Sequence, residues 1–214
     1  MNMKKNNESS SQARIGVALG CIVIATLSRV ALPPIFGHPS NFSPIDAIAL
    51  FCGACFGKRF LAFVVPLLSI WVSDIFVDYG VYHKLMWFYP GFYWQYLAYI
   101  VIVILGFSLS SLLPVKNSKR PGASWRVGSL LAASLGSSCL FFLISNFGVW
   151  ASLSLHPMYP HTLAGLLTCY TMAIPFFTPT LVSDLVYSAV LFGSFYAVVK
   201  LVLRPGSRTL SESV

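Results

Sequence analysis

The chain has 214 residues, 57% of them hydrophobic and 9% charged, with a formal net charge of +8 and a mean hydropathy of +0.76. A soluble domain carries about a quarter charged residues, so this composition excludes an ordinary soluble protein and points to an integral membrane protein. The basic excess does not indicate nucleic-acid binding. The bases stand in short clusters between apolar runs, where they set orientation in a bilayer.

In chain order, residues 1–13 read as a polar tail leading into an apolar run at 14–32. The run imitates a signal peptide, but Arg29 interrupts it and no clear small-x-small cleavage site is present, so it reads as a retained helix. Further apolar runs occupy 44–57, 60–79, 93–113, 126–150, 161–177 and 179–203. Crossing about 30 Å of hydrocarbon takes roughly 20 helical residues. Run 44–57 is short, and "GKR" at 57–59 turns it into its neighbour as a tight hairpin. Prolines crowd run 161–177, which reads as an outer-face or re-entrant helix.

The bases decide the count. With spans at 14–32, 44–57, 60–79, 93–113, 126–150 and 179–203, both termini are cytoplasmic and only Arg29 and Lys84 face outward. A seventh span would move three C-terminal bases outside. The expectation is therefore an all-α, six-helix transmembrane bundle over 14–203, with a cytoplasmic tail at 204–214.

On this topology the outer face gathers "GHPSNFSP" (37–44), "VYHKLMWFYPGFYWQY" (81–96) and "NFGVWASLSLHPMYPH" (146–161). All four histidines, His38, His83, His156 and His161, fall there. There is also an internal echo: "SNF" precedes "VSD" by about thirty residues twice, at 40–42 and 72–74, then at 145–147 and 182–184. Matched order and depth suggest a three-helix duplication, and transporters built from repeats bind substrate at the repeat interface.

An ionised aspartate at the bilayer centre costs about 2.5–3.5 kcal/mol on insertion scales, so Asp74 and Asp184 should face away from lipid. Asp74 and Asp78 share a helical face with Trp71, and Asp184 shares one with Thr180, Tyr187 and Ser188. They either line a polar, aromatic cavity open to the outside or sit in an internal network. Asn41 and Asn146 either contact a ligand at the rim or cap helix ends. Arg29 either pairs with an aspartate, meets an anionic ligand or snorkels to the interface. Trp71, Trp150 and Tyr187 are candidate stacking surfaces. Most of Trp87, Tyr89, Tyr93, Trp94 and Tyr96 read as an interfacial belt.

No metal site is expected, because no histidine pair has helical i,i+4 spacing. Cys52 and Cys55 form a CxxC inside a membrane run, which reads as small apolar packing. No hydrolase, Walker or metalloprotease motif is present, and nothing in the residues supports an enzyme or a cofactor. Gly16 with Gly20, Gly53 with Gly57, and Gly128 with Ala132 and Gly136 recur at four-residue spacing, which lets helices approach closely.

"NFSPIDAIALFCGACFG", "PLLSIWVSD", "FFLISNFGVW" and "YPHTLAGLLTCYTMAIPFF" resemble an uncharacterised family of small bacterial membrane proteins. That family is similar to the S components of energy-coupling factor (ECF) vitamin transporters. The resemblance implies outer-face capture of a vitamin or related micronutrient and docking through helix 1 onto a transmembrane coupling subunit driven by two ATPases. S components dock through an Ala-x-x-x-Ala pattern. Gly16 and Gly20 occupy the comparable place here. Two rival expectations stand beside it, a self-sufficient proton-coupled carrier and a structural or assembly protein.

Overall fold

A helix that is apolar all round belongs inside a protein or a membrane, and the run after Pro44 is of that kind. In the computed structural model, which describes residues 2–36, 41–56, 59–83, 91–112, 122–152 and 158–202, that run forms the hub. Among the described residues there are six α-helices and no strand. They are α1 (Asn2–Phe36), α2 (Ile45–Cys55), α3 (Arg59–Val77), α4 (Phe92–Ser108), α5 (Ala123–Ala151) and α6 (Leu163–Val202). A π-helical turn, Asp78–Tyr82, extends α3, and a 3-10 turn, Leu109–Leu112, extends α4.

Helix α2 is only 11 residues long, about 16 Å, and every residue from Ile45 to Ala54 is buried. Helices α3, α4, α5 and α6 pack against it. The closest approach is to α4: a Cβ on Gly53 would fall inside contact distance of the Val103 carbonyl oxygen and 3.0 Å from the Gly106 Cα. Two glycines facing each other let the backbones touch. Helix α1 lies along α3 and presents Ile15, Leu19, Val23 and Leu27 outward, an apolar stripe at helical spacing suited to lipid.

Among the described residues, three helices are long and apolar enough to cross a membrane: Phe60–Gly80, Ser124–Ala151 and Leu163–Val198. The apolar parts of α1 and α4 are shorter, and α2 is too short to span on its own. The protein is thus an all-helical, membrane-type chain.

Two expectations need correction. Run 161–177 is not a separate re-entrant helix, because it continues into 179–203 as the 40-residue α6. Pro175 and Pro179 each remove one backbone hydrogen bond, yet the helix persists through both. Packing holds it there: Phe177 stacks 4.9 Å from Phe142 of α5, and the Thr180 hydroxyl donates to the Phe176 carbonyl at 3.0 Å. Second, the run at 44–57 shortens to Ile45–Cys55. Helix α1 begins at Asn2, so residues 2–13 are helical and continue into the run at 14–32. Of the two "SNF" elements, the first leads into α2 and the second lies within the last two turns of α5. His38, His156, Lys84, Trp87, Tyr89 and the 204–214 tail lie outside the described residues.

Candidate functional site

Several groups of polar side chains stand inside this apolar bundle. On one side, Arg29 of α1 forms an ion pair with Asp74 of α3 at 2.6 Å, and the same nitrogen donates to the Ser73 hydroxyl. The pair is not sealed: its side chains are 20% and 24% exposed. Tyr96 of α4 lies close enough to feel both charges. Next along α1, Ser28 accepts a 2.7 Å hydrogen bond from the Tyr187 hydroxyl of α6, and the Tyr187 ring lies 5.7 Å from Phe42. The exposed Asn41 offers its backbone carbonyl to the Thr180 hydroxyl at 3.4 Å. Arg29, Asp74, Tyr187 and Asn41 thus fall in one neighbourhood, where α1, α3, α6 and the strand of chain entering α2 meet.

Asp184 belongs to a different group. It is fully buried on α6, accepts a hydrogen bond from Ser138 of α5 through one carboxyl oxygen, leaves the other without a hydrogen-bond partner, and lies near Asp46 of α2, itself 4% exposed. Asp184 thus lies inside the core, bonded to Ser138. Asp46 was missed in the sequence. The available signal was an acid in the second position of an otherwise apolar run, "IDAIALFCGAC". Removing the Ser138 hydroxyl with Ser138→Ala should cost about 1–3 kcal/mol of stability, because a buried acceptor loses its donor. Chemical denaturation in detergent measures this, and an unchanged midpoint would show that the bond carries nothing.

Asn146 and Trp150 lie towards the end of α5, next to the α5–α6 connection. Asn146 donates to the Phe142 carbonyl of its own helix, and Trp150 donates through Nε1 to the Pro160 carbonyl at 3.0 Å. Trp150 also meets His161 edge-on at 5.7 Å, while Thr162 caps α6 by accepting from the Gly165 N–H. Both side chains are occupied with the hairpin and do not join the Arg29–Asp74 group. Trp71 is half-buried on α3. Among the described residues, no three histidine, cysteine, aspartate or glutamate side chains converge on one point.

A cavity of about 440 Å³ lies at the opposite end, between the N-terminal half of α5, the C-terminal half of α6 and Leu109. None of the eight residues expected to bind substrate lines it.

The profile of one family matches residues 9–205, nearly the whole chain. The chain belongs to the DUF6580 family of unknown function. No curated protein and no solved structure matches it. DUF6580 membership thus fits the resemblance to an uncharacterised family and supplies no chemistry for the site.

Proposed function

We propose that this DUF6580 protein is the substrate-capture subunit of a micronutrient or vitamin uptake transporter, an S-component-like, six-span protein of the bacterial inner membrane with both termini cytoplasmic. The observation that carries the reading is the partly exposed Arg29–Asp74 pair in an apolar bundle, flanked by Tyr96 and, across α1, by Tyr187 and Phe42. Charged groups kept inside a membrane domain mark ligand or ion sites by default. A paired donor and acceptor suit a planar molecule that offers both an acceptor to Arg29 and a donor to Asp74, with Tyr187 at hand for stacking.

Partner docking has its own support. A Cβ on Gly16 or Gly20 would meet nothing within 4 Å, so this stripe of α1 is not consumed by the fold. It is free to receive a transmembrane coupling subunit with its ATPases.

The test is thermal unfolding of the detergent-purified protein against a panel of vitamins and their precursors. A ligand at a hundred times its dissociation constant adds about 2.7 kcal/mol to the stability of the folded state, a readable shift in midpoint. One strong hit that Asp74→Asn abolishes is the expected result. A hit unaffected by both Asp74→Asn and Arg29→Gln would remove the site assignment.

The Asp46–Asp184 pair favours a second reading, a proton-coupled carrier that works alone. That reading requires uptake driven by a pH gradient in liposomes containing only this chain. Capture with external energy requires binding by the isolated chain but accumulation only with ATPase partners present.

A further inference from the structure

Helix α6 carries Thr180, Asp184 and Ser188 at four-residue spacing on one face, each about 6 Å along the axis from the next. Its contacts with α5 keep one antiparallel register: Arg126 lies against the Tyr196 ring, Ser138 bonds Asp184, and Phe142 meets Phe177. This register sets Ser134, one turn before Ser138, opposite Ser188, one turn after Asp184. All four side chains are buried. Three atoms of the seam have no hydrogen-bond partner: the hydroxyls of Ser134 and Ser188 and Oδ1 of Asp184. Each has less than 1 Å² of accessible area, too little for a water molecule to touch. Other serines in this bundle, such as Ser69, Ser73 and Ser183, donate to a carbonyl of their own helix. Most buried polar side-chain atoms have a partner, and orphans penalise the conformation that buries them.

The surroundings show how that penalty is relieved. Ser134 and Ser188 line the cavity between α5 and α6, yet their hydroxyls are shut off from it. Asp184 stands one turn beyond them. On its other side Thr180 donates to the carbonyl of the exposed Asn41. Pro175 and Pro179 weaken the backbone of α6 just before this seam, and proline is the commonest site of a helix bend. Beyond the seam, Phe192 and Phe195 pack edge-on against Phe51 of α2 at 5.2 and 5.8 Å. A pivot at the prolines can therefore keep α6 on α2 while widening its gap from α5, where the cavity already parts the two.

We infer that the C-terminal part of α6 pivots at Pro175–Pro179 and separates from α5 at Ser134 and Ser188, extending the cavity by one helical turn so that water reaches Asp184. The structure shows this gate closed. In the open state the three orphaned atoms gain water as a partner. A carboxyl inside a membrane domain that meets water in one conformation and not in another has what proton or cation transfer needs. The gate is separate from the Arg29–Asp74 group and does not depend on the capture reading.

The test is thiol labelling of the intact, detergent-purified Ser188→Cys protein with a small, charged thiosulfonate, read position by position by mass spectrometry across a denaturant series. Native Cys52, fully buried in α2, reports global unfolding in the same molecules. Opening of the gate should label position 188 roughly tenfold or more faster than Cys52, with a weaker dependence on denaturant, since a local opening exposes less surface than unfolding. One shared rate with one shared denaturant dependence would overturn the gate, because position 188 would then be reached only by unfolding. Labelling as fast as in the unfolded chain would overturn it too, because nothing would then close. Adding Pro175→Ala and Pro179→Ala restores the backbone donors of α6 and should slow labelling at 188 while leaving Cys52 unchanged. An unchanged rate at 188 in that variant would rule out the pivot.

Discussion

Gly53→Leu is expected to yield no folded protein, and Gly53→Ala to lose about 3 kcal/mol or more, the upper end of the cost of overpacking. The reason lies in what surrounds the missing side chain. A Cβ there would overlap the carbonyl oxygen of Val103, and one on Gly106 would overlap the carbonyl oxygen of Leu50. Both neighbours are backbone of a helix whose own hydrogen bonds fix it, so neither can rotate aside. Since α2 is the hub on which α3, α4, α5 and α6 pack, separating it from α4 disturbs every one of those contacts.

The same substitution at Gly16 or Gly20 serves as the control. Those positions face open space, so alanine should be neutral or gain up to about 1 kcal/mol from helix propensity. Denaturant unfolding in detergent compares the four variants directly. A Gly53→Ala protein as stable as the parent would mean that α2 and α4 do not touch as described.

That contrast shows where sequence reading stops. Three glycine pairs or series have the spacing that lets helices approach, but spacing alone does not say which one is packed. Gly53 is packed against a partner, Gly106, that lies in another helix and was not part of any repeat. Asp46 was hidden for a similar reason. Its significance comes from Asp184, which reaches it only when α6 folds against α2, and no local pattern encodes that meeting. Run 161–177 misled because proline is a local signal for stopping. The packing that carries α6 through Pro175 and Pro179 comes from α5. By contrast, the helical class and the apolar runs follow from composition and periodicity alone. Arg29 could be matched to an acid because both stand out as costly exceptions in apolar segments.

The Arg29–Asp74 pair offers the most informative variants. Arg29→Gln should destabilise by about 2–3 kcal/mol, more than a surface pair and less than a fully buried one. Only about a quarter or less of each side chain is exposed, which leaves Asp74 poorly hydrated once its partner is gone. Asp74→Asn should cost less, because Arg29 keeps the Ser73 hydroxyl and has a long stem with which to reach the interface. The double variant Arg29→Gln with Asp74→Asn should recover part of the loss, since no charge is then stranded.

These stability effects do not by themselves separate a structural pair from a binding one. Exchanging the charges does. Arg29→Asp with Asp74→Arg rebuilds an ion pair between the same two helices, so a pair that only ties α1 to α3 should return most of the lost stability and leave every other property intact. A ligand that gives a donor to Asp74's position and an acceptor to Arg29's would find both reversed. In the exchanged protein, near-parental unfolding together with loss of the vitamin-induced shift is the result expected of a capture site. Retention of that shift would assign the pair to architecture alone.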